Sequence, residues 1–363
     1  MEKIASQFAI DGDLISETEI ESGHINATYI GEFRKKNGEV KRYVFQRINS
    51  YVFKDPLAVM QNVEKVTQHI REKVTLIDKN QGGQTLCLYP AHNGQFYVTE
   101  KDGGLWRCYN FIEDCITHDI VENTRQAYQA ARAFGAFQEL VSDMSLDQIQ
   151  ETIPDFHNTP KRYHRLMEAA QKDPYGRSAS ITAELDFIKD RVSIVSKLND
   201  LLLAGELPER VTHNDTKINN VMIHAESEEA VCVIDLDTVM PGLSLYDFGD
   251  LVRTAVSPAA EDEQDLSKVN VRMPIFEALA EGYIEACECL CDIEIENLVF
   301  SGKLISLETG IRFLTDHIEG DVYFKVHREN QNLDRARTQF RLVEQIEAHE
   351  TEMEAIISKL SKS

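Results

Sequence analysis

Apolar and polar positions follow different periods in different parts of this chain. Residues 1 to about 20 suggest a short helix, with Asp11-Gly-Asp13 as a turn. Glu21 to Phe33 then alternates as a strand does, turns at Asn37-Gly38 and returns as Lys41 to Ile48. Asn-Gly between two strand-like runs is a strong hairpin signal, because both residues accept the positive φ of a tight turn. After Asp55-Pro56, the apolar spacing of Val59, Met60, Val63, Val66 and Ile70 is that of an amphipathic helix. Strand-like runs follow at Thr85 to Tyr89, Phe96 to Thr99 and Leu105 to Glu113, the last after a turn at Asp102-Gly-Gly104. Together these runs predict a five-stranded sheet.

From about residue 120 the three-four period takes over. It predicts helices over 123–140, 160–171, 179–204, 243–256, 273–291, 294–319 and 331–360. One interruption breaks the helical run. Val221 to Ile223 and Val231 to Ile234 are short, β-branched and separated by the polar turn Ala225 to Glu229, which reads as a hairpin. The expectation is an α+β protein. A small N-terminal antiparallel sheet lobe spans 1–112, and a larger, mainly helical C-terminal lobe spans 113–363.

Composition narrows the function. A net charge of −23 over 363 residues argues against a nucleic-acid partner, since phosphate backbones are bound by basic surface. An anionic ligand would need a local positive site. No run of about 18 apolar residues predicts a membrane span, and the first residues lack the layout of a signal peptide. Seven scattered cysteines suit a reducing cytoplasm, the expected location. Cys287, Cys289 and Cys291 fall on a predicted helix, where alternate positions cannot face one ion, so they read as packing residues. No obligate protein partner is expected.

The chemistry gathers around the predicted hairpin. His213-x-Asp215-x-Lys217-x-x-Asn220 precedes its first strand, and Asp235 ends its second. A carboxylate that accepts the proton of an attacking hydroxyl, an Asn five residues later that binds Mg²⁺, and an Asp beyond the hairpin that binds Mg²⁺ on nucleotide phosphates form the catalytic-loop pattern of kinases. Asp215, Asn220 and Asp235 fit that order, with Asp237 as a helper to the metal. Lys217 can neutralise charge on the transferred phosphoryl group. Asp247-Phe248-Gly249 spells a kinase metal motif, yet it lies 32 residues after Asp215 in a predicted helix, so Asp247 is expected to hydrogen-bond the catalytic loop instead. Gln46 occupies the strand position at which kinases carry a phosphate-binding Lys. Either it orients phosphates itself, or Arg47 or Lys217 supplies the charge. Glu64 on the following helix is a candidate partner for it.

His-Asn-Asp-Thr-Lys-Ile-Asn-Asn220, Val-Ile-Asp-Leu-Asp-Thr-Val-Met-Pro-Gly242 and Tyr-Asp-Phe-Gly-Asp250 resemble the aminoglycoside phosphotransferase and choline kinase superfamily. Gly23-His-Ile-Asn-Ala-Thr-Tyr29 and Glu319-Gly-Asp-Val-Tyr-Phe324 are similar to motifs of its bacterial N-acetylhexosamine 1-kinases. The resemblance implies a two-lobed, protein-kinase-like fold using ATP and Mg²⁺ to phosphorylate the anomeric hydroxyl of GlcNAc or GalNAc. It implies nucleotide contacts from Gly23, Asn26, Gln46 and the hinge from Phe111 to Glu113. It implies sugar contacts from His24, Asp215, Arg312 and Tyr323. Read on residues alone, Arg312 near Asp316 is a structural ion pair and Tyr323 a core residue. Another sugar, an aminoglycoside or an amino alcohol as acceptor remains open, as does a nucleotide-binding pseudokinase.

Overall fold

The computed structural model describes residues 1–20, 25–77 and 85–362. In chain order its first elements are helix α1 (Glu2–Ala5), strands β1 (Asp13–Ile20), β2 (Ala27–Arg34) and β3 (Val40–Arg47), and helix α2 (Pro56–Ile77). Strands β4 (Val98–Thr99), β5 (Leu105–Asn110) and β6 (Cys115–Ile116) precede helices α3 (Thr124–Val141), α4 (Thr159–Lys172), α5 (Thr182–Lys189) and α6 (Lys197–Leu203). Strands β7 (Arg210–Thr212), β8 (Val221–His224), β9 (Ala230–Val233) and β10 (Met240–Gly242) follow. Helices α7 (Ser244–Ala255), α8 (Met273–Ala286), α9 (Asp292–Glu296), α10 (Leu298–Ile318) and α11 (Gln331–Leu360) complete the chain.

The contacts divide into two compact units. The first contains Met1–Ile116, Leu140–Pro154 and Met222–Pro241; the second contains the remainder. The hairpin of β8 and β9 thus counts with the first unit, whereas a single cut after residue 112 assigns it to the second.

In the first unit, β1, β2, β3, β5 and β4 form a five-stranded antiparallel sheet in that order. Phe33, Tyr43, Phe45, Trp106 and Cys108 lie in one apolar cluster with Phe8 of the N-terminal segment. The tight packing there needs glycine at Gly31, where a Cβ would stand 2.9 Å from the Phe45 ring. Of the Asn37-Gly38 pair only Gly38 takes a positive φ, +87°, in the turn between β2 and β3. The sheet has the expected number of strands but not the expected members. Residues 13–20 are a strand rather than part of a helix, and Thr85 to Tyr89 contributes only an isolated bridge from Leu88 to Tyr109. β1 is mostly exposed and polar, so its own pattern is weak; pairing with β2 along its length is what makes it a strand. A second sheet joins β6, β8 and β9.

In the second unit, α10 is buried over nearly its whole length and packs against α4, α7 and α11. Leu307, Ile311 and Leu314 from α10 meet Phe340 and Val343 from α11 and Ile181 and Ile188 from the α5 region. A Cβ at Gly249 of α7 would stand 2.6 Å from the Ser301 carbonyl oxygen, so α7 and α10 approach at backbone distance. Three predicted helices change. Residues 178–203 break into two short helices and two 3₁₀ turns. The helix expected over 294–319 divides at Asn297, and the one expected over 273–291 stops at Ala286, leaving the three cysteines outside it. No helix among the described residues is long and apolar enough to cross a membrane.

Candidate active site

In the second unit, the loop after β7 is built on a buried framework. Asn214, between His213 and Asp215, takes φ +64°, a left-handed conformation that Asn tolerates better than most residues. Two carboxylates from α7 hold this backbone. Asp247 accepts from the N–H groups of His213 at 2.8 Å and Asn214 at 2.7 Å, and Asp250 accepts from the Thr216 N–H at 3.1 Å. The Thr216 hydroxyl donates to the Asp247 carbonyl at 2.6 Å. Asp247 therefore serves the loop as the sequence suggested, and its neighbour Gly249 serves helix packing. Burial pushes the Asp247 carboxyl up to about 7, against the two N–H groups that pull it down. Burial acts on Asp250 in the same sense, but Arg253 at 2.7 Å outweighs it and holds that carboxyl low.

Asp215, Lys217 and Asn220 come together on this framework. Lys217 Nζ lies 3.1 Å from Asp215 Oδ2, and Asn220 Nδ2 donates to the same oxygen at 3.2 Å and to the Asp215 carbonyl at 2.8 Å. Oδ2 is thus held by two donors. Asn220 turns its amide nitrogen towards Asp215. His213 is fully buried between the rings of Phe134 and Phe137, where it anchors the loop rather than reacting.

In the first unit, Asp235 lies two residues past β9, at φ +60° and ψ +59°, and leads into a 3₁₀ turn over Leu236–Thr238. A non-glycine residue held there is a strained position that the surroundings must stabilise. Asp237, in the same turn, is held from two sides. Its Oδ2 accepts from Asn26 Nδ2 at 2.7 Å, and its Oδ1 pairs with Arg107, a side chain with no exposed surface. Asn26 in turn accepts from the Asn49 N–H at 2.9 Å. Burial alone would depress the Arg107 guanidinium; the charges of Asp237 and, further off, Asp235 reverse this and leave it above its usual range. Arg107 also donates to Gln46 Oε1 from Nε at 3.0 Å and Nη2 at 2.8 Å, while Gln46 Nε2 donates to Thr28 at 3.2 Å. Register explains the row, since Thr28, Gln46 and Arg107 sit opposite one another on β2, β3 and β5.

Arg107 is the residue that sequence reasoning missed. Its signal was present, an Arg inside the apolar run Leu105-Trp-Arg-Cys-Tyr109, where a charge must find a partner. The partner sought for Gln46 is Arg107 rather than Glu64. Arg47 pairs with Asp102 at 2.6 Å on the exposed face. At the end of β5, Phe111 lies under the Arg42 guanidinium at 3.9 Å and Glu113 pairs with Arg42, half of its side chain exposed. His157 and Glu308, 2.9 Å apart and both buried, were also missed; His157 Nε2 approaches the Asn214 carbonyl at 3.5 Å. No local motif marks a pair separated by 151 positions.

Arg312 and Tyr323 line one cleft of the second unit with Arg162, Arg165, Glu319 and Phe324. The ion pair expected between Arg312 and Asp316 does not form. Asp316 accepts from the N–H groups of Val322, Tyr323 and Phe324 at 2.8–3.0 Å and so folds that loop. Arg312 instead stands over the rings of Phe156 and Phe324 at 5.2 and 5.6 Å. Tyr323 is half exposed, not core. Burial and the Arg312 charge both lower the Arg162 guanidinium. Gly23 and His24 lie outside the described residues.

Three solved structures share the fold over most of their length. An aminoglycoside phosphotransferase from Alicyclobacillus acidocaldarius subsp. acidocaldarius DSM 446 aligns with a TM-score of 0.57 at 13% identity, covering 99% of this chain and 96% of that one. Amicoumacin kinase hAmiN, solved with AMP-PNP, Ca²⁺ and Ami, gives 0.57 at 13% identity, over 94% and 91%. An ethanolamine kinase from Plasmodium vivax gives 0.51 at 13% identity, over 89% and 82%. The α+β, two-lobed, kinase-like architecture is therefore the fold of this protein. The model of the APH phosphotransferase enzyme family matches residues 17–270. The chain belongs to the APH phosphotransferase enzyme family.

Proposed function

We propose that this phosphotransferase uses ATP and Mg²⁺ to phosphorylate the anomeric hydroxyl of an N-acetylhexosamine, GlcNAc or GalNAc, giving the 1-phosphate. The observation that carries the kinase reading is the Asp215 cluster: one carboxylate oxygen is fixed by Lys217 and Asn220 and the other is assigned to the acceptor. Asp215 Oδ1 takes the proton of the attacking hydroxyl and orients that hydroxyl towards the γ-phosphate. Lys217 offsets negative charge on the phosphoryl group in transfer. Asn220 and Asp235 are assigned to the metal, because amide and carboxylate oxygens are the donors that suit Mg²⁺. When bound, the ion would neutralise phosphate charge and hold the phosphates in line. Asp237, with both oxygens engaged, supports Asp235 rather than acting first on the ion. Gln46, at the position where kinases carry a strand Lys, is assigned to the nucleotide phosphates together with Asn26; Arg107, buried and paired with Asp237, holds Gln46 in place. The backbone from Phe111 to Glu113 is assigned to the adenine edge.

The sugar assignment rests on the resemblance of the segments around Gly23 and Tyr323 to N-acetylhexosamine 1-kinases. The cleft of Arg312 and Tyr323 supports a neutral acceptor. It carries three guanidinium groups, while Glu319 is paired with Arg165 at 2.6 Å and Asp316 is committed to backbone N–H groups. Such a lining offers a cationic aminoglycoside or choline no carboxylate without a partner. His24 is assigned to the sugar with Arg312 and Tyr323.

ADP release should be followed over GlcNAc, GalNAc, glucosamine, galactose, kanamycin and choline, with loss of the reducing end tested for any product. Turnover is expected on the two N-acetylhexosamines. Turnover confined to kanamycin or choline would remove the sugar reading and keep the kinase. Asp215→Asn should lower kcat by about 10²–10⁴-fold with ATP·Mg²⁺ binding unchanged. Wild-type turnover in that variant would end the assignment of the base.

A further inference from the structure

Alternate residues on a helix point to different sides. Because α8 stops at Ala286, Cys287 and Cys289 are free of that restriction and lie in the loop leading to α9. Their Sγ atoms are 3.4 Å apart. Glu139 on α3 adds a carboxylate oxygen, and the three atoms all lie within 4.8 Å of one another. Two thiolates on a tetrahedral zinc ion stand about 3.8 Å apart, and a disulfide closes to about 2.05 Å. The observed pair is about 0.4 Å from the first spacing and about 1.3 Å from the second, so a shared ion asks for less movement than a bond.

The loop is held in this arrangement. The Cys289 N–H donates to Glu139 Oε2 at 2.8 Å, and the Cys289 carbonyl accepts from Arg210 at 2.7 Å. Glu294 grips Arg210 through both its oxygens at 2.7 Å, so these two charges satisfy each other. The Cys291 sulfur caps α9 and is occupied. Cys287 is buried, whereas Cys289 and Glu139 are partly exposed, which gives an ion a way in. None of these residues takes part in the phosphotransfer site described above.

We propose that Cys287, Cys289 and Glu139 form a binding site for a zinc-class divalent cation, independent of the active site. Thiolate ligands select soft or borderline ions over Mg²⁺ and Ca²⁺. On binding, both thiols lose their protons to solvent, two sulfur–metal bonds and one oxygen–metal bond form, and water completes the coordination. The ion would tie the end of α3 to the loop between α8 and α9.

The full chain, stripped with a chelator and kept in a phosphine reductant, should be titrated with Zn²⁺ or Co²⁺ at micromolar concentration. Native mass spectrometry should show one ion bound with two protons displaced, and Co²⁺ should give a thiolate charge-transfer absorption. The variant Cys287→Ser/Cys289→Ser should lose both signals. Glu139→Gln should weaken binding by about 10–100-fold while leaving the circular dichroism of the metal-free protein unchanged, so it tests the site without touching the buried thiol. No ion on the wild type, or wild-type affinity in either variant, would overturn the proposal.

Discussion

Two buried carboxylates, Asp237 in the first unit and Asp247 in the second, are held in different ways. In the first, Arg107 and Asp237 neutralise each other, with Gln46 and Asn26 taking the remaining valences. In the second, Asp247 is met by backbone N–H groups of the loop it supports. The Asp237 charge outweighs burial and holds the Arg107 guanidinium above its usual range. Backbone dipoles stabilise a buried carboxylate less completely, and Asp247 rises to about 7. One device keeps the guanidinium charged. The other leaves a proton to be gained within the physiological range.

The largest effect should come from breaking the pair. Arg107→Met leaves Asp237 buried and uncompensated and should cost about 3–5 kcal/mol by urea unfolding. Adding Asp237→Leu should recover most of that loss, because an apolar pair removes both desolvation penalties. A single variant costing under about 1 kcal/mol would mean that pairing is not what holds this row together. Next, Asp247→Ala strips two buried N–H groups of their acceptor and should cost about 2–4 kcal/mol.

Asp247→Asn sharpens the contrast through pH. A carboxyl raised from 3.8 to about 7 binds, in the folded chain, a proton that the unfolded chain releases. Its contribution to stability is full below the lower value and is lost as pH rises through the upper one. Wild-type stability relative to Asp247→Asn should therefore fall between pH 4 and 7 and level off above. A flat difference across that window would show that Asp247 is ionised throughout. The smallest effect is expected at Arg47, whose pair with Asp102 is open to solvent; Arg47→Ala should change stability by under about 1 kcal/mol.

Much of the fold was legible because it follows from short-range pattern. The β2–β3 hairpin came from Asn37-Gly38, and the long helices α2, α3 and α11 from apolar residues at three-four spacing. β1 was not legible, since a polar edge strand has little pattern of its own and gains its conformation from β2. The breaks at Asn297 and after Ala286 fall inside runs whose periodicity continues. In the site, the loop from His213 to Asn220 and the use of Asp247 could be argued from spacing, because the groups lie within 35 positions of one another. The roles of Arg107 and Asp316 could not, since each is decided by partners chosen across the fold.

The sequence by itself determined which groups are present and in what order: a carboxylate, a lysine, an amide and a second carboxylate around a short hairpin. Local chemistry suffices for that, because adjacent residues share a loop whatever the rest of the chain does. Only the tertiary structure decided how distant charges are divided. Arg107 rather than Arg47 stands beside Gln46, Asp316 folds a loop instead of pairing with Arg312, and Cys287 and Cys289 converge on Glu139. Such choices depend on burial, which sets the penalty for leaving a polar group unpaired, and burial exists only once the helices and sheet have packed.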